Sequence, residues 1–326
     1  MDRSVDSLDA GGGTHHCLLS TLLQAVAGGC DESTCGLAVP ESVAQAVLVE
    51  LLEAVAQLHA ARRRHRCLRP WTVAFCASGR VELLGGALSM EGSTHSDSVR
   101  AISASRRDSA DLQIVGSDRW YWTPERLMGF ERDGMEQDMW AVGCIFAELL
   151  LGAPIFFGFD SSNQVFSMFK TLGFPSRQQL SYLADDYDQL QVPKINTRCT
   201  LADKLPGLKQ EGLDLLSLLL EWSPSERIGA ASALQCAYLA GARARPRREG
   251  RARIATFLAA RAADISALSA LSLISRQVSP AGDLAQSQAS DDGDGQILES
   301  PGGASGEGHL WRLSLSPSAD APLHAT

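Results

Sequence analysis

The stretch from Asp138 to Leu151 is apolar on every side of a helix except at Asp138 and Glu148. A helix that is hydrophobic all round has to lie inside a protein rather than on it. The eleven residues from Ala141 to Leu151 are too few to cross a bilayer, which takes about 20 residues. Thr123-Pro124-Glu125 turns the chain before this stretch, and Gly152-Ala153-Pro154 stops it. The feature therefore predicts a helical domain wrapped around one buried central helix. A chain of 326 residues with 45% hydrophobic and 21% charged residues can build such a core.

The charge is unevenly placed. The net charge is −9, yet after Gln277 seven acidic residues stand against the single Arg312. The segment 277–326, rich in Ser, Gly, Asp and Pro, reads as a disordered acidic tail, and residues 1–16, with Gly11-Gly12-Gly13, read as a disordered leader. This balance argues against a nucleic-acid partner. With no targeting or spanning segment evident, we expect no membrane partner and an intracellular location, cytoplasmic and/or nuclear. The cysteines at 17, 30, 35, 67, 76, 144, 199 and 236 form no CxxC pair, so they read as reduced thiols. His15, His16, Cys17, Cys30 and Cys35 are too irregularly spaced for a metal centre.

Along the chain, LLSTLLQAV from Leu18 and the run from Val43 to Ala61 predict two helices, the second with Val47, Leu51, Val55 and Leu58 on its core face. VAF at 73–75 and RVELL at 80–84, joined through Ser78-Gly79, predict a β-hairpin. Residues 90–118 are Ser-rich and without period, and read as a loop. Beyond Leu239, six arginines fall between Arg243 and Arg253, followed by an amphipathic helix with Ile254, Phe257, Leu258, Ile265 and Leu268 on one face. The run has three readings: a patch for nuclear import or an anionic surface, a solvated helix entrance, or a clamp on an acidic partner.

RWYWTPERL at 119–127 followed by DMWAVGCIFAELLLGAPIFFG at 138–158 resembles the end of the activation segment and the central helix of eukaryotic protein kinases, in the branch holding cyclin-dependent and mitogen-activated kinases. The family pattern HRDLKPxN…xGxxKLxDFG lies over His65 to Ala87 without a gap. LLSTLLQ is similar to the first helix after the hinge, LVELLEAVAQLHA to the helix entering the catalytic loop, and GLDLLSLLLEWSPSERIGAASALQ to the closing helices. The resemblance covers roughly 17–240 and implies a mainly α, kinase-like C-terminal lobe with a short β-hairpin. The basic segment and amphipathic helix would occupy 241–276. Residues 1–17 carry no GxGxxG spacing, and no lysine precedes Lys170, so the resemblance implies that the N-terminal lobe is absent and the chain starts at the hinge.

The resemblance also assigns roles residue by residue. Phosphoryl transfer needs a carboxylate for the nucleophile, oxygen ligands for magnesium and cations for the phosphates. The catalytic aspartate position holds Cys67, the loop lysine is Arg69, the metal-binding asparagine is Thr72, and the DFG triplet reads Gly85-Gly86-Ala87. A thiol offers no hard oxygen, and its reference pKa near 8.5 suits it poorly to replace the base. Catalysis is therefore expected to fail, with no cofactor bound; ATP and magnesium would belong to the alternative reading. The scaffold positions, in contrast, are filled. Asp138 matches the aspartate that holds the catalytic-loop backbone at His65 and Arg66, and Glu125 and Arg227 match a buried ion pair. Trp122 replaces the arginine that the branch associates with proline-directed substrates.

Modification sites are expected at Ser109, after Arg106-Arg107, and at Ser279, Ser300 and Ser316, each before a proline. The expected function is that of a catalytically inactive scaffold or regulator binding protein partners, among them kinases or their substrates. The alternative is a serine/threonine kinase that is atypical or N-terminally truncated.

Overall fold

A computed structural model describes residues 15–27, 37–84, 118–130, 134–180 and 199–268. Strand β1 (His15–Leu18) leads into helix α1 (Leu19–Ala27), and α2 (Glu41–Ala60) follows. A 3-10 turn (Pro70–Thr72) precedes β2 (Val73–Cys76) and β3 (Val81–Leu83). A second 3-10 turn (Asp118–Tyr121), the short α3 (Pro124–Leu127) and the long α4 (Glu136–Leu151) come next. The remaining helices are α5 (Ser161–Leu172), α6 (Leu201–Lys204), α7 (Gln210–Leu219), α8 (Ala230–Ala233), α9 (Ala237–Arg243) and α10 (Arg247–Ala260).

Helix α4 is the axis of the lobe. Every residue from Asp138 to Leu150 is buried, as its unbroken apolar composition requires. Trp140 stacks on Phe156 at 5.7 Å and tilts against Trp222 at 6.4 Å, and Phe146 meets Tyr238 at 5.6 Å. The helix ends where Gly152 takes φ 71° and returns its N–H to Glu148 O, a conformation in which a Cβ is strained. Helix α2 packs beside α4 and buries Val47, Leu51, Leu52 and Val55 completely. By length and composition alone α2 qualifies as a membrane span, against the expectation that no such segment exists; half of its apolar window lies inside the lobe, as in a core helix.

Three expectations change. The predicted hairpin is part of a three-stranded antiparallel sheet in the order β1-β2-β3, with Cys17 opposite Phe75 and Phe75 opposite Val81. All four residues of β2 are buried, so both its edges need a partner, and the four-residue HHCL was too short and too polar to read as a strand. Strand β1 accordingly takes in His15 and His16, inside the stretch read as leader. Third, the arginine run is more than a solvated helix entrance: Arg243, Arg245, Arg247 and Arg248 are exposed, while Arg251 and Arg253, further along α10, are half-buried. Arg251 Nε donates to Glu50 Oε1 at 2.9 Å, and Arg247 pairs with both Glu50 and Glu53. Part of the run's charge is therefore paired within the chain, with Glu50 and Glu53 of α2. Ile254, Phe257, Leu258 and Ile265 bury the apolar face, and Leu268 is half-buried.

Helix α10 also covers the tip of the hairpin. Gly79 turns there at φ 79°, and a Cβ on it would sit 2.0 Å from Arg251 O. Only glycine satisfies both the left-handed turn and that approach. The leader up to residue 14 and the acidic tail 277–326 lie outside the described residues, as do Gly85, Ser109, Ser279, Ser300 and Ser316.

Candidate functional site

Helix α2 delivers the chain to the site. It closes with Arg62 at φ 56°, whose N–H returns to His59 O while Arg63 N–H returns to Leu58 O, the paired bonds of a Schellman ending. Four residues after Arg62, Arg66 again takes a left-handed φ of 64°. A non-glycine residue holds that conformation only where its surroundings enforce it. The enforcing group is Asp138. Its Oδ2 accepts the His65 N–H and its Oδ1 the Arg66 N–H, both at 2.8 Å, and His59 Nε2 lies 2.9 Å from Oδ2. The carboxylate is 1% exposed, so these are charge-assisted bonds in a dry setting.

The rest of the loop turns inward. Thr72 Oγ1 lies within donating distance of Cys67 O (3.1 Å) and Arg69 O (3.0 Å), and accepts the Arg69 N–H at 3.1 Å. The hydroxyl at the position assigned to a metal ligand therefore braces the loop's own backbone. Arg69 forms an ion pair with Asp118 and lies over the Trp71 ring at 5.0 Å. Trp71 in turn meets Tyr121 edge-on at 5.7 Å. Burial pushes the Cys67 thiol up, more strongly than the nearby Arg69 and Arg126 pull it down, so it stays protonated at neutral pH. Burial likewise lowers His65, partly opposed by Asp138, and leaves its ring neutral there.

A second layer fastens the 3-10 turn Asp118–Tyr121 and α3. Arg227 grips Glu125 with two bonds, Nη1 to Oε1 at 3.0 Å and Nη2 to Oε2 at 3.2 Å, with both side chains fully buried. Nη1 also donates to Glu136 O and Nε to Glu221 O, and the guanidinium lies 5.0 Å from the centre of the Trp140 ring. Tyr121 donates its hydroxyl to Glu148 Oε2 at 2.7 Å. Burial raises the Glu148 carboxyl to about 7, an effect that the tyrosine bond partly offsets. Trp122 is half-buried, with the Arg126 guanidinium 3.8 Å from its ring centre.

The structure thus gathers Cys67, Arg69 and Thr72 on one loop, with His65 and Arg66 held by Asp138 beneath it and Glu125–Arg227 beyond. Three participants escaped the sequence reading. Asp118, His59 and the Tyr121–Glu148 pair lack a motif, although a lone carboxyl at Glu148 inside an apolar helix already demanded a buried partner. Among the described residues no group of three or more His, Cys, Asp and Glu stands ready to hold a metal ion. The described cysteines, 17, 67, 76, 144, 199 and 236, are all free thiols.

The chain is 30% identical over 200 residues to serine/threonine-protein kinase ppk23 of Schizosaccharomyces pombe, a match covering 61% of this chain and 47% of that protein. It therefore spans about half the length of the curated relative it matches. The model of the protein kinase domain matches residues 21–239, which hold the whole of the loop, its Asp138 anchor and the Glu125–Arg227 pair. The chain belongs to the protein kinase domain family.

Proposed function

We propose that this protein is a catalytically inactive member of the family, of the cyclin-dependent and mitogen-activated kinase branch, acting as a scaffold or regulator in a phosphorylation pathway. The observation that carries this reading is the inward closure of the catalytic loop around Thr72 and Arg69. A magnesium ion needs oxygen ligands facing outward, and the Thr72 hydroxyl is occupied by backbone while the Asp118 carboxylate is paired with Arg69. This arrangement supports the reading that the loop does not hold ATP with magnesium. At the position of the base, Cys67 keeps its proton, and removing a positioned general base alone costs about 10²- to 10⁴-fold in rate.

Protein partners drawn from kinases or their substrates, and an intracellular place in cytoplasm or nucleus, belong to the same reading. Ser109, Ser279, Ser300 and Ser316 are its proposed phosphorylation sites. The competing reading, an active serine/threonine kinase, is favoured by one observation, the 30% identity to ppk23. Incubation of the protein from its native source with radiolabelled ATP, magnesium and a generic basic protein substrate separates the two. We expect no transfer above that of a Cys67→Ala, Arg69→Ala variant. Transfer that this variant abolishes would establish the enzyme.

A further inference from the structure

The loop between α4 and α5 exposes aromatic surface. Phe159 is 81% exposed and Phe157 50%, among the described residues the two most exposed aromatic side chains. They meet edge-on at 5.0 Å, and Phe157 tilts against the half-buried Trp120 at 5.1 Å. The backbone beneath is pinned. Trp120 Nε1 donates to Gly158 O, Arg119 Nη1 to Phe159 O, and Phe157 N–H to Ser167 Oγ. Gly158 lies so close to α5 that a Cβ would come within 2.3 Å of Gln164 N. A backbone anchored in this way presents the two rings from a fixed position, so little backbone freedom is left to lose on binding. Arg119 borders the patch on one side and Asp160, which caps α5, on the other.

The sequence contains a segment suited to it. Beyond Phe257 the only aromatic residue is Trp311, set in Leu310-Trp311-Arg312-Leu313 within a tail otherwise rich in Ser, Gly, Asp and Pro. Glu307 precedes it and Arg312 follows, matching the opposite charges of Arg119 and Asp160. Reach is no obstacle. The 42 residues that separate Leu268 from Leu310 span roughly 35 Å at coil dimensions and about 140 Å when extended, against a lobe about 45 Å across for a radius of gyration of about 18 Å. A tethered segment also acts at an effective concentration near millimolar, so one aromatic anchor is enough. We propose that the Trp120–Phe157–Phe159 patch is the docking site of the chain's own tail, which binds through Leu310 to Leu313.

Hydrogen–deuterium exchange on the full chain tests this directly. We expect the amides of 310–313 to exchange at least tenfold more slowly than an unstructured peptide of the same sequence. Trp311→Ser and, separately, Phe159→Ser should each abolish that protection, while the amides of α4 stay protected and so show that the lobe remains folded. Phe159 is exposed enough for its replacement to leave the core intact. Intrinsic-rate exchange of 310–313 in the unaltered chain, or protection that survives both variants, would overturn the proposal. So would protection that grows with protein concentration and accompanies a doubled mass, since a second copy would then be the occupant.

Discussion

At Arg66 the backbone sits in a region that costs an L-residue roughly 1–2 kcal/mol, and Asp138 offsets this with bonds to two successive N–H groups. Asp138→Asn keeps the shape but removes the charge, and an amide can accept on only one of its two arms. We expect it to lower unfolding free energy by about 2 kcal/mol in urea titrations, since bonds to charged groups contribute about 1.5–3 kcal/mol. The Glu125–Arg227 pair is the more severe case, because both side chains are fully buried. Arg227→Met should cost about 3–5 kcal/mol by stranding the carboxylate, and Glu125→Leu combined with it should recover much of that. Glu148 gives a pH signature. Its carboxyl, raised to about 7 when folded against an ordinary value of 4.5, binds a proton more tightly in the folded than in the unfolded state. Its contribution is therefore fully present below pH 4.5 and is lost as pH rises through 7. Urea titrations between pH 5 and 8 should show a fall on the order of 3 kcal/mol that Glu148→Gln removes.

Among the elements, α4 was legible from composition alone, because no surface helix can afford apolar residues on every side. The anchors Asp138, Glu125 and Arg227 were legible through the resemblance to the kinase family, whereas Asp118 and His59 were not, since nothing in the local sequence announces a partner 49 or 79 residues away. Strand β1 was hidden for a related reason: its identity comes from the buried edge of β2 rather than from its own residues. The arginine run was legible only as charge, because charge patterns report what a segment carries and not that α10 pairs part of it with Glu50 and Glu53. The close seating of α10 on the hairpin supplies a test at this scale. Gly79→Ala combines a strained φ with a clash against the Arg251 carbonyl, and should destabilise the protein by about 2 kcal/mol or more. Removal of α10 should relieve most of that penalty, visible as a smaller difference between the paired melting curves.

Taken as one molecule, the lobe keeps its axis, its loop anchor and its buried ion pair, while the loop so anchored is closed on itself. A folded lobe and a working phosphate site are separable, because fold does not carry function with it. The central claim is that this protein does not engage ATP with magnesium. A thermal-shift titration of the full chain with ATP, with and without magnesium, addresses it most directly, since a ligand that binds only the folded state raises stability by mass action. At a hundred times its dissociation constant, a bound nucleotide would lift the midpoint by roughly 5–10 °C. The account predicts no magnesium-dependent change in the midpoint up to millimolar ATP; a saturable, magnesium-dependent rise would contradict it.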